Sequence, residues 1–144
     1  MMVASSPPSL SPGKRKKESH ERLASGVVIK TLKAGDATHY PRPLATCRVH
    51  YEARLPDGTL FDSTRARSQS LMFRLGQGQV IDGLEEAVLR MSVGQVCRLT
   101  LPPSSAYGDI GFLPIIPPNC TLTYDLELIA FSQEDNNSLV IVPS

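Results

Sequence analysis

The sequence lacks the features that mark several large classes of protein. No apolar run approaches the roughly 18 residues of a membrane-spanning helix, so we expect no membrane partner. The first 17 residues contain no apolar segment long enough for a secretory signal. The 15 Lys and Arg residues are balanced by 14 Asp and Glu residues, which gives a formal net charge of +1. Domains that bind nucleic acid are usually strongly basic, so binding of nucleic acid by the whole chain is not expected.

Cysteine and recognisable catalytic motifs are also scarce. Cys47, Cys97 and Cys120 are odd in number and widely spaced, and they form neither a disulfide framework nor a CxxC zinc pattern. We therefore expect a reducing compartment, with the cytoplasm as the default location. There is no Walker loop, no HExxH and no GxSxG. The residues thus predict no metal site and no cofactor.

The composition divides the chain into three parts. Residues 1–22 are rich in Ser and Pro and then basic, which favours a disordered tail. Residues 23–131 carry regular hydrophobic patterns and form the predicted domain. Residues 132–144 are polar and then apolar, and this extension either adds an edge strand or remains loose. The tail holds five of the 15 basic side chains, so the rest of the chain carries ten basic and 12 acidic ones.

The basic run Lys14–Lys17 leaves three roles open for the tail. It is a solubilising arm, a nuclear-localisation signal, or a weak contact for a polyanion such as nucleic acid. A nuclear or chromatin adaptor is a function that rests on this run alone.

Period-two alternation marks the predicted strands. Apolar and polar residues alternate from Cys47 to Leu55, which is typical of a strand with one buried face. Similar alternation occurs at Leu71–Leu75, Cys97–Leu101 and Leu122–Leu128. After the turn that follows Leu55, Leu60–Phe61 begins a partner segment, and Val27–Ile29 is a weaker first strand. Together they indicate an antiparallel sheet.

Only one segment has a helical period. Ile81, Leu84, Val88 and Met91 recur at three and four residues and predict one apolar stripe, with Gly94 as the predicted end of the helix. An antiparallel sheet with a single helix over its apolar face is an α+β architecture.

A long apolar loop suggests a binding site. Pro102–Pro118 contains five prolines together with Tyr107, Phe112 and Ile116. Long ordered loops usually line a site. Core packing explains each apolar residue taken singly, but together with Tyr51 and Phe61 they suggest an apolar pocket with a few polar groups.

Four segments, in this order and spacing, resemble the FKBP-type peptidyl-prolyl cis–trans isomerases: VHYEARLPDGTLFDST, LGQGQVIDGLEEAVLRMSVGQ, AYGDIGFLPIIPPN and TLTYDLELIAF. The resemblance covers about residues 24–131. It implies a twisted antiparallel sheet of about five strands wrapped around one short helix. It also implies an enzyme that rotates X–Pro bonds without covalent chemistry and assists protein folding. The implied partners are proline-containing peptides, folding proteins and macrolides such as tacrolimus or rapamycin, and a monomer is the default state.

The resemblance assigns roles to individual residues. Asp62 and Tyr107 match catalytic positions, and Arg67 would support Asp62. The positions that match the substrate-binding walls, or stand at variable points around them, are Tyr51, Phe61, Leu71, Val80, Ile81, Leu84, Phe112, Ile116 and Tyr124. Phe61 and Tyr124 would contact the prolyl ring. The backbone N–H of Ile81, at the start of the helix, would donate to a ligand carbonyl.

Three residues depart from the common family pattern. Leu84 stands where most active members have a tryptophan floor, Leu71 where Phe is frequent, and Phe112 at a variable and often polar loop tip. A leucine floor is smaller and less flat, so the alternative function is an FKBP-like binding module with weak or no turnover.

Overall fold

The computed structural model describes residues 20–135 and 138–142. In that part of the chain five strands precede one α-helix and three strands follow it. In chain order they are β1 (His20–Arg22), β2 (Val28–Lys33), β3 (Thr46–Arg54), β4 (Leu60–Ser63), β5 (Leu71–Arg74), α1 (Asp82–Val88), β6 (Val96–Leu101), β7 (Leu122–Asp135) and β8 (Ser138–Val142). All strand pairs are antiparallel and form one sheet in the order β1-β2-β6-β7-β3-β4. β5 also pairs with β3, and β8 pairs with β7.

β3 and β7 form the centre of the sheet. They are paired along the whole of β3, from Thr46 opposite Ser132 to Arg54 opposite Thr123. The alternation predicted for β3 is confirmed, because Cys47, Val49, Tyr51 and Ala53 are buried and the residues between them are not. This buried face and the buried side of α1 belong to one hydrophobic core.

The helix is shorter than the apolar stripe predicted, and its predicted end at Gly94 is wrong. α1 ends at Val88, and Leu89 forms its C-cap. Met91 remains fully buried after the α-helix has ended, in a turn where its N–H donates to the Val88 carbonyl at 3.1 Å, so the apolar spacing continues past the helix. Gly94 instead has a φ of +89° in the turn into β6, where its N–H donates to the Leu128 carbonyl at 2.8 Å. This left-handed backbone is what a glycine permits.

The predicted α+β class is confirmed, but the expected number of about five strands is too low. The additional strands β1 and β8 lie at the edges of the sheet, on either side of residues 24–131. β7 also continues beyond the predicted Leu128 to Asp135. The edge strands lack the long alternation that marks the central ones, so a periodicity test does not find them.

The structure describes only part of the predicted tail, residues 1–22, and part of the extension, residues 132–144. Residues 1–19, including Lys14–Lys17, lie outside the described residues. His20–Arg22, which the composition assigned to the tail, pair with β2 as β1. In the extension 132–144, the first residues continue β7 and Ser138–Val142 form β8. Among the described residues, no helix has the length and apolar character required to span a bilayer.

The three cysteines are buried and unpaired. Burial raises the pKa of the Cys47 thiol to about 12. Burial also raises the pKa of Cys97, against weaker opposing hydrogen bonds from Thr31 and Gln95.

A buried threonine fastens the segment after β4 to β3. The Thr64 side chain is fully buried, and its hydroxyl oxygen accepts the Tyr51 N–H at 2.9 Å. The same hydroxyl lies 2.8 Å from Nδ1 of His50. The Thr64 N–H in turn donates to the Tyr51 carbonyl at 3.0 Å. These contacts hold Asp62 and the residues that follow it against the central strand.

We expect Thr64→Val to lower the free energy of unfolding by about 1–3 kcal/mol, because the Tyr51 N–H would stay buried without an acceptor. Urea denaturation followed by circular dichroism measures this change. The matched control is Thr100→Val on an exposed position of β6, which should change the free energy by less than about 0.5 kcal/mol. If the two substitutions lowered the free energy of unfolding equally, the Thr64 hydroxyl would not be the stabilising acceptor proposed here.

Candidate functional site

Three aromatic rings form the centre of the candidate site. The ring centroids of Tyr51 on β3 and Tyr124 on β7 are 5.4 Å apart, with an interplanar angle of 51°. The Phe61 ring on β4 meets Tyr124 edge-on, with centroids 6.4 Å apart. Tyr51 and Tyr124 are buried and Phe61 is half-buried, so the cluster extends from the core to the surface. Its edges and faces suit an apolar ring.

One carboxylate borders this aromatic cluster. The Tyr51 hydroxyl donates to Asp62 at 2.6 Å, and Arg67 forms an ion pair with the other oxygen of the same carboxylate. Burial raises the pKa of Tyr51, and the hydrogen bond to Asp62 raises it further. Hydrogen bonds to Tyr51 and Asp62 raise the pKa of Arg67. The structure thus places Arg67 against Asp62, and its supporting role in the site stays a prediction.

The start of α1 supplies a free backbone donor. Ile81 precedes the helix with extended backbone angles, φ −65° and ψ 153°, and its carbonyl accepts the Leu84 N–H at 3.0 Å. Within the described part of the chain the Ile81 N–H itself has no hydrogen-bond acceptor. The turn before it is held by Glu85 of the helix, which accepts the Gly76 N–H at 2.8 Å. Val80 and Ile81 are half-buried and pack on the core.

The loop Pro102–Pro118 is held in place by its own hydrogen bonds. Phe112 and Ile116 exchange two backbone hydrogen bonds of 2.7 and 2.8 Å, and the Gly111 N–H donates to the Tyr107 carbonyl at 3.0 Å. Gly111 has a φ of +72°, and a Cβ there would lie 2.5 Å from the Ile116 carbonyl oxygen. A glycine is therefore required at the closure of this loop.

Tyr107 brings a second aromatic pair from this loop. Its ring lies 5.6 Å from that of Phe112, with an interplanar angle of 32°. Its hydroxyl donates to no acceptor among the residues that the structure describes. Burial raises the pKa of Tyr107, and the charge of Asp62 raises it further.

The side chains of the predicted wall residues differ in how deeply they are buried. Leu84 and Ile116 are buried in the hydrophobic core. Leu71 and Val80 are half-buried and pack against the same core. Phe112 is 56% exposed, so it does not fill the site. Sequence reasoning missed the role of Thr64, because a Ser-Thr pair in a polar segment gives no sign of burial.

The fold and the site together describe a small domain in which the aromatic cluster, the helix start and the long loop form the candidate site for an apolar ligand. A family model described as FKBP-type peptidyl-prolyl cis-trans isomerase matches residues 37–129. FK506-binding protein 1A of Emericella nidulans is 43% identical over 104 residues, which are 72% of this chain and 96% of that protein. The chain therefore belongs to the FKBP-type peptidyl-prolyl cis–trans isomerase family. It is a peptidyl-prolyl cis–trans isomerase, the activity that its motifs indicated.

We expect this activity to be insensitive to alkaline pH. The pKa values of Tyr51 and Tyr107 are both raised above their ordinary value of 10.0, so both hydroxyls keep their protons to higher pH. For a peptide without titratable groups, kcat/KM should stay constant from about pH 6 to about pH 9. Circular dichroism over the same range is the control for folding. A decline in kcat/KM with its midpoint below about pH 9, while the fold is intact, would contradict this expectation.

Proposed function

We propose that this protein rotates X–Pro bonds without covalent chemistry in the site formed by the aromatic cluster, the start of α1 and the loop Pro102–Pro118. Its proposed partners are proline-containing peptides and folding proteins, and macrolides such as tacrolimus are proposed ligands of the same site. The observation that carries the proposal is the edge-on and tilted packing of Phe61, Tyr51 and Tyr124 beside one carboxylate.

The reaction needs only a difference in binding between two amide geometries. The barrier to rotation is roughly 18–20 kcal/mol, because twisting removes amide resonance. The planar amide is more charge-separated than the twisted one, so transfer from water to an apolar site disfavours the planar state more. Buried rings and aliphatic side chains supply such a site here. If the site binds the twisted amide more tightly than the planar one by about 1.4 kcal/mol, the rate of rotation rises tenfold.

The free donors should hold the ligand at points beside the rotating bond. A donor to the rotating carbonyl would stabilise the planar amide, whose oxygen is the more negative, and would slow the reaction. We therefore assign the Ile81 N–H and the Tyr107 hydroxyl to neighbouring carbonyls of the peptide. Both groups lack a partner within the described residues, so neither must break a hydrogen bond to bind. Fixing the peptide on both sides of the bond orients it for rotation.

Asp62 has two roles that the geometry supports. As a structural group it holds Tyr51 and Arg67 in place. As a catalytic group it contacts the ligand directly at the edge of the site, where about one third of its side chain is exposed.

We expect Asp62→Val to lower kcat/KM at least about tenfold in a protease-free isomerisation assay on short X–Pro peptides. Tyr51→Phe separates the two roles, because it removes the hydrogen bond and keeps the carboxylate. A similar loss in Tyr51→Phe indicates the structural role, and a small loss indicates the direct one.

The matched control for Asp62→Val is Asp125→Val. Asp125 forms an exposed ion pair with Arg98 at 2.8 Å, so the substitution makes the same chemical change outside the site. Unchanged kcat/KM in Asp62→Val, with wild-type stability, would overturn the assignment of Asp62 to the site.

Leu84 is the feature that favours a binding module over an efficient enzyme. The side chain is buried on α1, beneath the position proposed for the prolyl ring. A leucine keeps this floor apolar but offers less flat area than an aromatic ring, and aromatic side chains bury the largest contact areas. We therefore propose that the protein binds macrolides less tightly, and turns over peptides more slowly, than it would with an aromatic floor.

We expect Leu84→Trp to increase tacrolimus affinity severalfold and to leave kcat/KM unchanged or higher. Isothermal titration and the isomerisation assay measure the two quantities. Leu89→Trp, at a 41% exposed position just past the helix, is the matched control and should change neither. If Leu84→Trp folds normally and loses affinity, the position of the floor is wrong. Macrolide binding by a wild-type protein without turnover would instead favour the binding module.

A further inference from the structure

Tyr124 buries a hydroxyl that the aromatic contacts do not use. The residue is only 4% exposed, and its ring packs against Tyr51 and Phe61. Within residues 20–135 and 138–142 its hydroxyl makes no hydrogen bond, whereas the Tyr51 hydroxyl beside it is committed to Asp62. A phenylalanine would make the same ring contacts, so packing does not explain the oxygen.

The Tyr124 ring lies beside polar groups of the site, since its centroid is 5.4 Å from that of Tyr51, whose hydroxyl donates to Asp62 at 2.6 Å. Burial is the main cause that raises the pKa of Tyr124, and smaller contributions come from Tyr107, Tyr51 and Asp62. Those three groups belong to different elements, and the space between them is where the ligand is proposed to bind. Tyr124 also lies opposite Ala53 on β3 and Leu99 on β6, neither of which offers a side-chain acceptor.

A buried hydroxyl without a partner destabilises the folded protein, because its hydrogen bonds to water are lost and none replaces them. The free energy lost is recovered only when a bound molecule offers an acceptor at that point. Such a group therefore discriminates between ligands, since a site built to donate a hydrogen bond disfavours a ligand that cannot accept it.

We propose that the Tyr124 hydroxyl is a specificity-determining donor that binds an oxygen of the ligand next to the prolyl ring. This inference rests on the proposed function, because it assigns the ligand to the same site. Two ligand groups carry the required chemistry: a backbone carbonyl beside the proline, which every substrate has, and an oxygen on the ring itself, as in 4-hydroxyproline.

The test compares the full-length wild-type protein with Tyr124→Phe on two blocked tetrapeptides. One is Ala-Leu-Pro-Phe, and the other has 4-hydroxyproline in place of proline. Each catalysed rate is referred to the uncatalysed rate of its own peptide. The matched control is Tyr40→Phe, which removes a hydroxyl from a 46% exposed residue and should alter neither rate.

A backbone acceptor predicts that Tyr124→Phe lowers kcat/KM for both peptides by the same factor, about two- to tenfold. A ring acceptor predicts a larger loss for the hydroxyproline peptide than for the proline peptide. Both results support the proposal. No loss on either peptide overturns it.

Stability provides a readout that does not depend on catalysis. Without a partner in the free protein, the buried hydroxyl does not stabilise the fold, so Tyr124→Phe should keep or raise the urea midpoint. A lower midpoint than that of Tyr40→Phe would show that the hydroxyl already has a partner, and it would overturn the proposal. If the wild-type protein turns over neither peptide, the proposed function fails. In that case, NMR titration of the 15N-labelled wild-type and Tyr124→Phe proteins measures the affinity for both peptides. A weaker affinity of Tyr124→Phe supports the proposal, and no loss of affinity for either peptide overturns it.

Discussion

The pairing of β3 with β7 is the contact on which the candidate site depends. Its register places Tyr51 opposite Leu126 and Tyr124 opposite Ala53, so the two tyrosines are diagonal neighbours on the buried face. Diagonal positions in an antiparallel pair lie within reach of aromatic side chains. The small Ala53 leaves room for the Tyr124 ring to approach Tyr51 at 5.4 Å. A shift of one residue in this pairing would turn one of the two rings to the opposite face and separate it from the other.

The other elements add polar groups to this apolar centre. Some of these groups already have hydrogen-bond partners and others do not. The Tyr51 hydroxyl and Asp62 already satisfy one another. The Ile81 N–H, the Tyr107 hydroxyl and the Tyr124 hydroxyl have no partner within the described residues. Donors without partners stabilise the free protein poorly, and in the proposed function they remain available to a bound peptide. Binding and stability therefore oppose one another at these three positions.

Much of this arrangement could be predicted from the sequence, because strict alternation marks the residues of β3 and of the first half of β7. The motif around Asp62 and the long loop likewise supplied residues of the candidate site. The end of α1 could not be predicted, since Met91 keeps the helical spacing after the helix has ended. Nor could the buried role of Thr64 or the free hydroxyl of Tyr124, because both depend on which atoms lie nearby in three dimensions.

The buried thiols have a practical consequence for studies of this protein. The thiolate is the form that reacts with alkylating agents, and a pKa of about 12 leaves Cys47 almost entirely as the thiol at neutral pH. The sheet also shields the sulfur atoms of Cys47 and Cys97 from reagents. Thiol labelling at these two sites would therefore proceed only when the sheet opens. The labelling rate would therefore report how often the sheet opens, without a substitution to introduce a reporter group.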